Sequence, residues 1–134
     1  MKVVLDTSTW ISAFEFGGNP AAAAAQATRD ELVVCSYIES EIYRILTGKF
    51  EWTRAEVQTA LEKAWRSATW ITTTGSLSGV CRDPADDAIL ECAVLADAVL
   101  IVSGDHDLLD MGQYQAVRIL TARQYLEQAE AAGA

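Results

Sequence analysis

Asp6 follows the apolar run "KVVL", and Asp105 follows "VLIVSG". In an open α/β sheet, ligands bind outside the carboxyl ends of the strands, so two aspartates at two strand ends can point into one crevice. Gly104 lets backbone approach closely beside Asp105. Glu41 sits in "SYIESEIYRIL", between Ile38, Ile42 and Ile45, and its side chain is expected at the margin of a buried helix face. Asp87 leads the series Asp87, Leu90, Glu91, Val94, which shares one helix face and places the acid at a boundary between core and cleft. Four carboxylates meeting at one sheet end would raise one another's pKa values unless a cation lay among them. All-oxygen donors suit Mg²⁺ or Mn²⁺ rather than zinc. One or two such ions can activate a water and stabilise the leaving oxygen of a phosphodiester.

Each acid has a plainer reading. Asp6 and Asp105 can cap the turn or helix that follows them, Glu41 can be an exposed helical acid, and Asp87 can complement a helix dipole. The stretch "CRDPADDAILEC" poses this choice most sharply. With Pro84 at the first helical position, Asp83 becomes the N-cap and Asp86 falls at the third helical position. On this reading Asp83 and Asp86 start the helix, Asp87 is the metal ligand, and Asp83 leans toward the same crevice. Asp107 and Asp110 read as turn residues, and the single histidine, His106, is given no catalytic role.

The elements that would position these acids alternate. Strands are expected at "KVVLD", "ELVVCS", "WITTT", "AVLIVSGD" and "VRIL". Helices are expected at "STWISAFEF", "AAAAAQATRDE", "SYIESEIYRILTG", "TRAEVQTALEKAWRSA", "PADDAILECAVLA" and "TARQYLEQAEAA". Thr53 and Glu56 have capping-box spacing, and "GGNP" breaks the first helical run from the second. The pattern predicts an α/β/α sandwich with a central parallel sheet, and 134 residues predict one domain spanning residues 1–134.

Composition narrows the function. The 51% apolar content indicates a globular chain, and the formal charge of −9 argues against a general nucleic-acid coat protein. It leaves room for an enzyme that meets phosphates through metal ions, and an acidic surface suits a basic partner. Cys35, Cys81 and Cys92 form no C-x-x-C pair and read as small core residues. No membrane span or signal peptide is evident, so a cytoplasmic location is expected. Trp10, Trp52, Trp65 and Trp70 are expected in the core or a partner interface rather than stacked on bases. Arg44, Lys49, Arg54, Lys63 and Arg66 form a phosphate-contacting rim, a site for an acidic partner or a solvated face.

In order along the chain, "VVLDTSTWISA", "CSYIESEIYRIL", "RDPADDAILECAVLADAVLIVSGDHDLL" and "VRILTARQYLE" resemble the PIN-domain family, the metal-dependent ribonuclease fold of VapC-like toxins. The resemblance covers nearly the whole chain. It implies a PIN-like, Rossmann-like fold with Asp6, Glu41, Asp87 and Asp105 as catalytic and metal-binding acids. It further implies an endoribonuclease that uses Mg²⁺ or Mn²⁺, an antitoxin partner and a homodimer. Ser8 stands where the family often has Asn, Ser103 where it usually has Thr, and both keep a hydrogen-bonding side chain. Asp107 stands where some members carry an auxiliary acid. Two other classes remain: a phosphatase with Asp6 as nucleophile, which would have a second Asp where Ser8 stands, and a non-catalytic binding module of the same fold.

Overall fold

In the computed structural model, which describes residues 1–133, strands and helices alternate. The order is β1 (Lys2–Leu5), α1 (Thr7–Phe16), α2 (Gly18–Arg29), β2 (Glu31–Cys35), α3 (Ser36–Lys49), α4 (Arg54–Ala64) and β3 (Thr69–Ile71). Then follow α5 (Pro84–Leu95), β4 (Leu100–Val102), α6 (His106–Met111), β5 (Gln113–Tyr114), β6 (Val117–Leu120) and α7 (Ala122–Gly133). The strands form one sheet in the order β3-β2-β1-β4-β6-β5.

All pairings are parallel except β5 with β6, a short antiparallel edge hairpin. The expected central parallel sheet is present, with this hairpin added at one edge. Two residues of β5 are too few to carry a readable pattern. "HDLLD", expected as a turn, is the start of the short helix α6.

Both faces of the sheet are covered. Successive strand residues point to opposite faces, and Val3, Val4 and Leu5 are all fully buried, as are Ile101 and Val102. This is why β1 and β4 read as unbroken apolar runs. Gly17 and Gly18 both take positive φ, which lets the chain turn sharply from α1 into α2. Thr53 and Glu56 close the expected capping box of α4. The aromatic expectation also holds in part. Trp10 is buried against Phe14 and Trp65, while Trp70 on the edge strand β3 is 47% exposed. Cys35, Cys81 and Cys92 are free thiols, with Cys35 and Cys92 buried in the core.

The topology makes one crevice. From β1 the chain moves outward through β2 to β3, then crosses back to β4 on the other side of β1. The strand order therefore reverses between β1 and β4, and the carboxyl ends of those strands flank a topological switch point. The N–H of Asp6 donates to the Val102 carbonyl at 3.0 Å, which brings the segments after β1 and β4 side by side.

Candidate active site

A cleft of about 270 Å³ opens at that switch point. Asp6, Thr7 and Ser8 line it from the end of β1 and the start of α1. Tyr37, Glu41 and Ile45 come from α3, Asp105 from the end of β4, and Asp83, Ala85, Asp86 and Ile89 from the start of α5.

Asp6 is 4% exposed and is the N-cap of α1. Its Oδ1 accepts from the Thr9 N–H and the Ser8 hydroxyl, both at 2.9 Å. Its Oδ2 accepts from the Ser103 hydroxyl. The cap and ligand readings are compatible, because a carboxylate has about four acceptor positions and these contacts take three. Burial raises the Asp6 pKa, against the lowering effect of Ser103, Thr9 and Ser8. Ser103 is 1% exposed and also accepts from the Asp105 N–H at 2.9 Å. It thus ties the two strand-end aspartates together. Asp105 caps α6, accepting from the Leu108 N–H at 3.4 Å.

Glu41 reaches the cleft as its place beside buried Ile38 and Ile42 suggests. Its carboxylate accepts from the Tyr37 hydroxyl at 3.0 Å and from Arg44 at 2.7 and 3.2 Å. Arg44 holds the Glu41 pKa below the ordinary value, with Tyr37 adding to the effect against burial. Burial, then Glu41, pushes the Tyr37 phenol up to about 12, so it stays a donor. Sequence reasoning did not find either orienting partner of Glu41. The rim, acidic-partner and solvated-face readings of Arg44 leave this pairing out, although its i+3 spacing from Glu41 is a usable signal.

The acids of α5 exchange places relative to expectation. Asp86 lines the cleft, and oxygen atoms of Asp86, Asp105 and Asp107 lie within 4.8 Å of one another. Burial, then the nearby Asp105, Asp83 and Asp6, pushes the Asp86 carboxyl up to about 7. Asp87 points elsewhere. Its oxygens accept from the Gly79 N–H at 3.0 Å and the Cys81 N–H at 2.7 Å. Those bonds, the one from Cys81 first, hold its pKa below the usual value.

The geometric reason is helix phase. Adjacent residues on an α-helix project about 100° apart, so only one of the pair can face the crevice. The apolar stripe could not arbitrate, because Ile89, Leu90, Cys92 and Ala93 are all buried and α5 is apolar nearly all round. A readable signal existed in the preceding loop. "TGSLSGV" has many backbone donors and few side chains to satisfy them, and Asp87 and Glu91 are spaced i, i+4 to do so.

Glu91 completes that arrangement. It is 2% exposed and accepts from the N–H groups of Thr74, Gly75 and Leu77 and from the Ser76 hydroxyl. Burial alone would raise its pKa, but these donors leave it lowered. Asp83 keeps both expected properties: it caps α5 by accepting from the Ala85 N–H at 3.0 Å, and it lines the cleft. Asp107 is bonded to Arg82 at 2.7 Å.

The donor set fits a hard divalent cation. It consists of carboxylates, with the buried Thr7 hydroxyl at the cleft unpartnered. Acids this close repel unless protonated or neutralised.

The PIN domain family profile matches residues 2–107. This chain belongs to the PIN domain family. The PIN chain also resembles a solved structure with the same fold. A chain of the VapBC2 structure from Rickettsia felis, solved bound to a DNA fragment from their promoter, superposes with a TM-score of 0.61. The match covers 90% of this chain and 98% of that one at 12% sequence identity. No curated protein matches the sequence. No helix among the described residues is long and apolar enough to cross a membrane.

Proposed function

We propose that this PIN-domain chain is a Mg²⁺- or Mn²⁺-dependent endoribonuclease and the toxin of a toxin–antitoxin pair. The observation that carries the catalytic reading is the convergence of Asp6, Glu41, Asp86 and Asp105 on one cleft at the switch point. The antitoxin rests on the likeness in fold to a chain of VapBC2 and on an acidic chain suited to a basic partner. A homodimer and a cytoplasmic location belong to the same reading.

Asp6, Glu41, Asp86 and Asp105 would hold the ion, with Asp107 and Asp83 at its margin. Bound there, a divalent ion supplies Lewis acidity toward water and a phosphodiester oxygen. The protein's part is orientation. Ser8 and Ser103 fix the carboxylate of Asp6, and Tyr37 and Arg44 fix that of Glu41. The Asp86 carboxyl, pushed up to about 7 by burial and its acidic neighbours, would be favoured in its charged form by a cation held beside it. Asp87 takes the role of loop anchor in this proposal. The phosphatase alternative is disfavoured because Ser8 stands where such an enzyme would carry a second Asp.

The test is cleavage of single-stranded RNA by purified protein with Mn²⁺ and with EDTA. Cleavage is expected only with the metal, and Asp105→Asn is expected to abolish it. Full activity in that variant, or cleavage in EDTA, would overturn the proposal.

A further inference from the structure

Beside the acid cleft lies a second groove of about 460 Å³, lined by Glu39, Ser40, Tyr43, Arg44, Thr47 and Arg54. It is continuous with the cleft through one ion pair. Arg44 lines the groove while its guanidinium holds Glu41, which lines the cleft. Arg44 is 68% exposed at its side chain. Its bonds to Glu41 use two of the five N–H donors of a guanidinium, and the rest remain available.

Arg54 is the more telling residue. It opens α4, where a cation runs against the helix dipole. That helix end is already satisfied by the Thr53–Glu56 capping box, so Arg54 does nothing for it. Arg54 makes no ion pair among the described residues. Its guanidinium instead stands over the Tyr43 ring, 4.6 Å from the centroid, which fixes its position but leaves its charge uncompensated. Residues that break a local rule without local compensation mark functional positions. Of the acids nearby, Glu41 is engaged with Arg44 and the cleft, and Glu39, which also lines the groove, sits in the first turn of α3, where an acid suits the dipole.

We infer that the groove carrying Arg44 and Arg54 is a backbone-phosphate subsite for the nucleic-acid strand that enters the acid cleft. Two guanidiniums beside a carboxylate cleft in a chain of net charge −9 divide the labour of holding a polyanion. The ion would meet the reacting phosphate, and the arginines would meet flanking ones. Phosphate contacts of this kind position a strand without reading its sequence. The inference rests on the ribonuclease reading of the cleft, and the experiment separates the two.

The experiment is fluorescence anisotropy with a labelled ten-nucleotide single-stranded RNA and the whole protein in EDTA, titrated over a range of salt. Arg54→Ala is expected to weaken binding about three- to tenfold and to reduce the salt slope by about 0.7, the value of one phosphate contact on a single strand. Arg54→Lys is expected to keep most of the slope. Arg118→Ala, which removes an equal charge from β6, is expected to change neither. Unchanged affinity and slope in Arg54→Ala, with RNA still cut by the wild type, would overturn the subsite alone. If the wild type neither binds nor cuts RNA, both readings fall. A polyglutamate peptide that competes as well as RNA would show a general acid-binding groove and would also overturn the subsite.

Discussion

Asp86 and Asp87 are neighbours on α5, and both are nearly buried, at 9% and 4% exposure. They nevertheless behave in opposite ways. Asp86 faces other acids, and its carboxyl is pushed up to about 7. Asp87 faces backbone N–H groups and is held below its ordinary value. Glu91, one turn further on, is satisfied in the same way as Asp87. Burial alone therefore does not separate a functional carboxylate from a structural one. The difference lies in what meets the oxygens. A carboxylate saturated with N–H donors anchors a loop, whereas one that meets mainly other carboxylates has its charged form disfavoured unless something neutralises it, which is the basis of the ligand role proposed for Asp86.

The largest expected effect breaks this pair apart. Asp86→Asn should lower metal-dependent RNA cleavage by at least about 100-fold, the scale on which a single stabilising group at a reacting centre is felt. The same variant should weaken Mn²⁺ binding in calorimetry. It should also reduce the proton release that accompanies binding to the wild type, measured by repeating the titration in buffers of different ionisation enthalpy. Its thermal stability should stay level or rise, because a repulsive contact has been removed. An Asp86→Asn protein that binds Mn²⁺ normally would sink the assignment.

The loop anchors should respond in stability instead. Glu91→Gln turns an amide toward donors that now meet a carboxylate, and should cost about 2–4 kcal/mol in urea unfolding, given about 1.5–3 kcal/mol for hydrogen bonds to a charged group. Asp87→Asn should cost less, since fewer N–H groups depend on it. Activity per folded molecule should survive in both. If Asp87→Asn instead removes Mn²⁺ binding while the fold persists, the distinction between the two neighbours is wrong.

Much of this architecture was legible in the residues. Central strands buried on both faces show as "KVVL" and "VLIV", and the acids that follow them lie at the switch point as the pattern implies. Pro84 fixed the start of α5, and with it Asp83 as the cap. The phase of α5 was not legible. An amphipathic stripe reports phase only when one face is wet, and α5 is covered nearly all round. An acid facing the cleft and one anchoring a loop then look identical side by side. The orienting contacts on Glu41 escaped notice because Tyr37 and Arg44 lie on the same helix and resemble ordinary helix decoration. The short strand β5 left no periodicity to read.

The pH dependence of the apo-protein sharpens the comparison. Asp87 and Glu91 have lowered folded pKa values, so their contribution to stability is present above the ordinary carboxylate range and is lost as pH falls through the folded values. Asp86 runs the other way. Its folded value of about 7 lies above its ordinary 3.8, so the folded state binds the extra proton and stability declines as pH rises between those values. Urea unfolding in EDTA should therefore show a decline from pH 5 to pH 7 that Asp86→Asn lessens and added Mn²⁺ offsets. The loss at lower pH should persist in Asp86→Asn. A flat wild-type profile from pH 5 to pH 7 would contradict the placement of Asp86 among acids.

The smallest effect belongs to Asp107, which stands between the two kinds of acid. One of its oxygens groups with Asp86 and Asp105, yet it is bonded to Arg82, whose side chain is 86% exposed. An exposed ion pair contributes about 0.2–1 kcal/mol at most, so Asp107→Asn and Arg82→Ala should each shift stability by less than about 1 kcal/mol. The two variants should differ in Mn²⁺ binding. Removing Arg82 frees the Asp107 carboxylate for a cation and should leave affinity level or improve it. Removing the carboxylate should weaken affinity, though less than Asp86→Asn does. Equal Mn²⁺ affinity in wild type, Asp107→Asn and Arg82→Ala would place Asp107 with the structural acids and shrink the candidate ligand set to the residues that line the cleft.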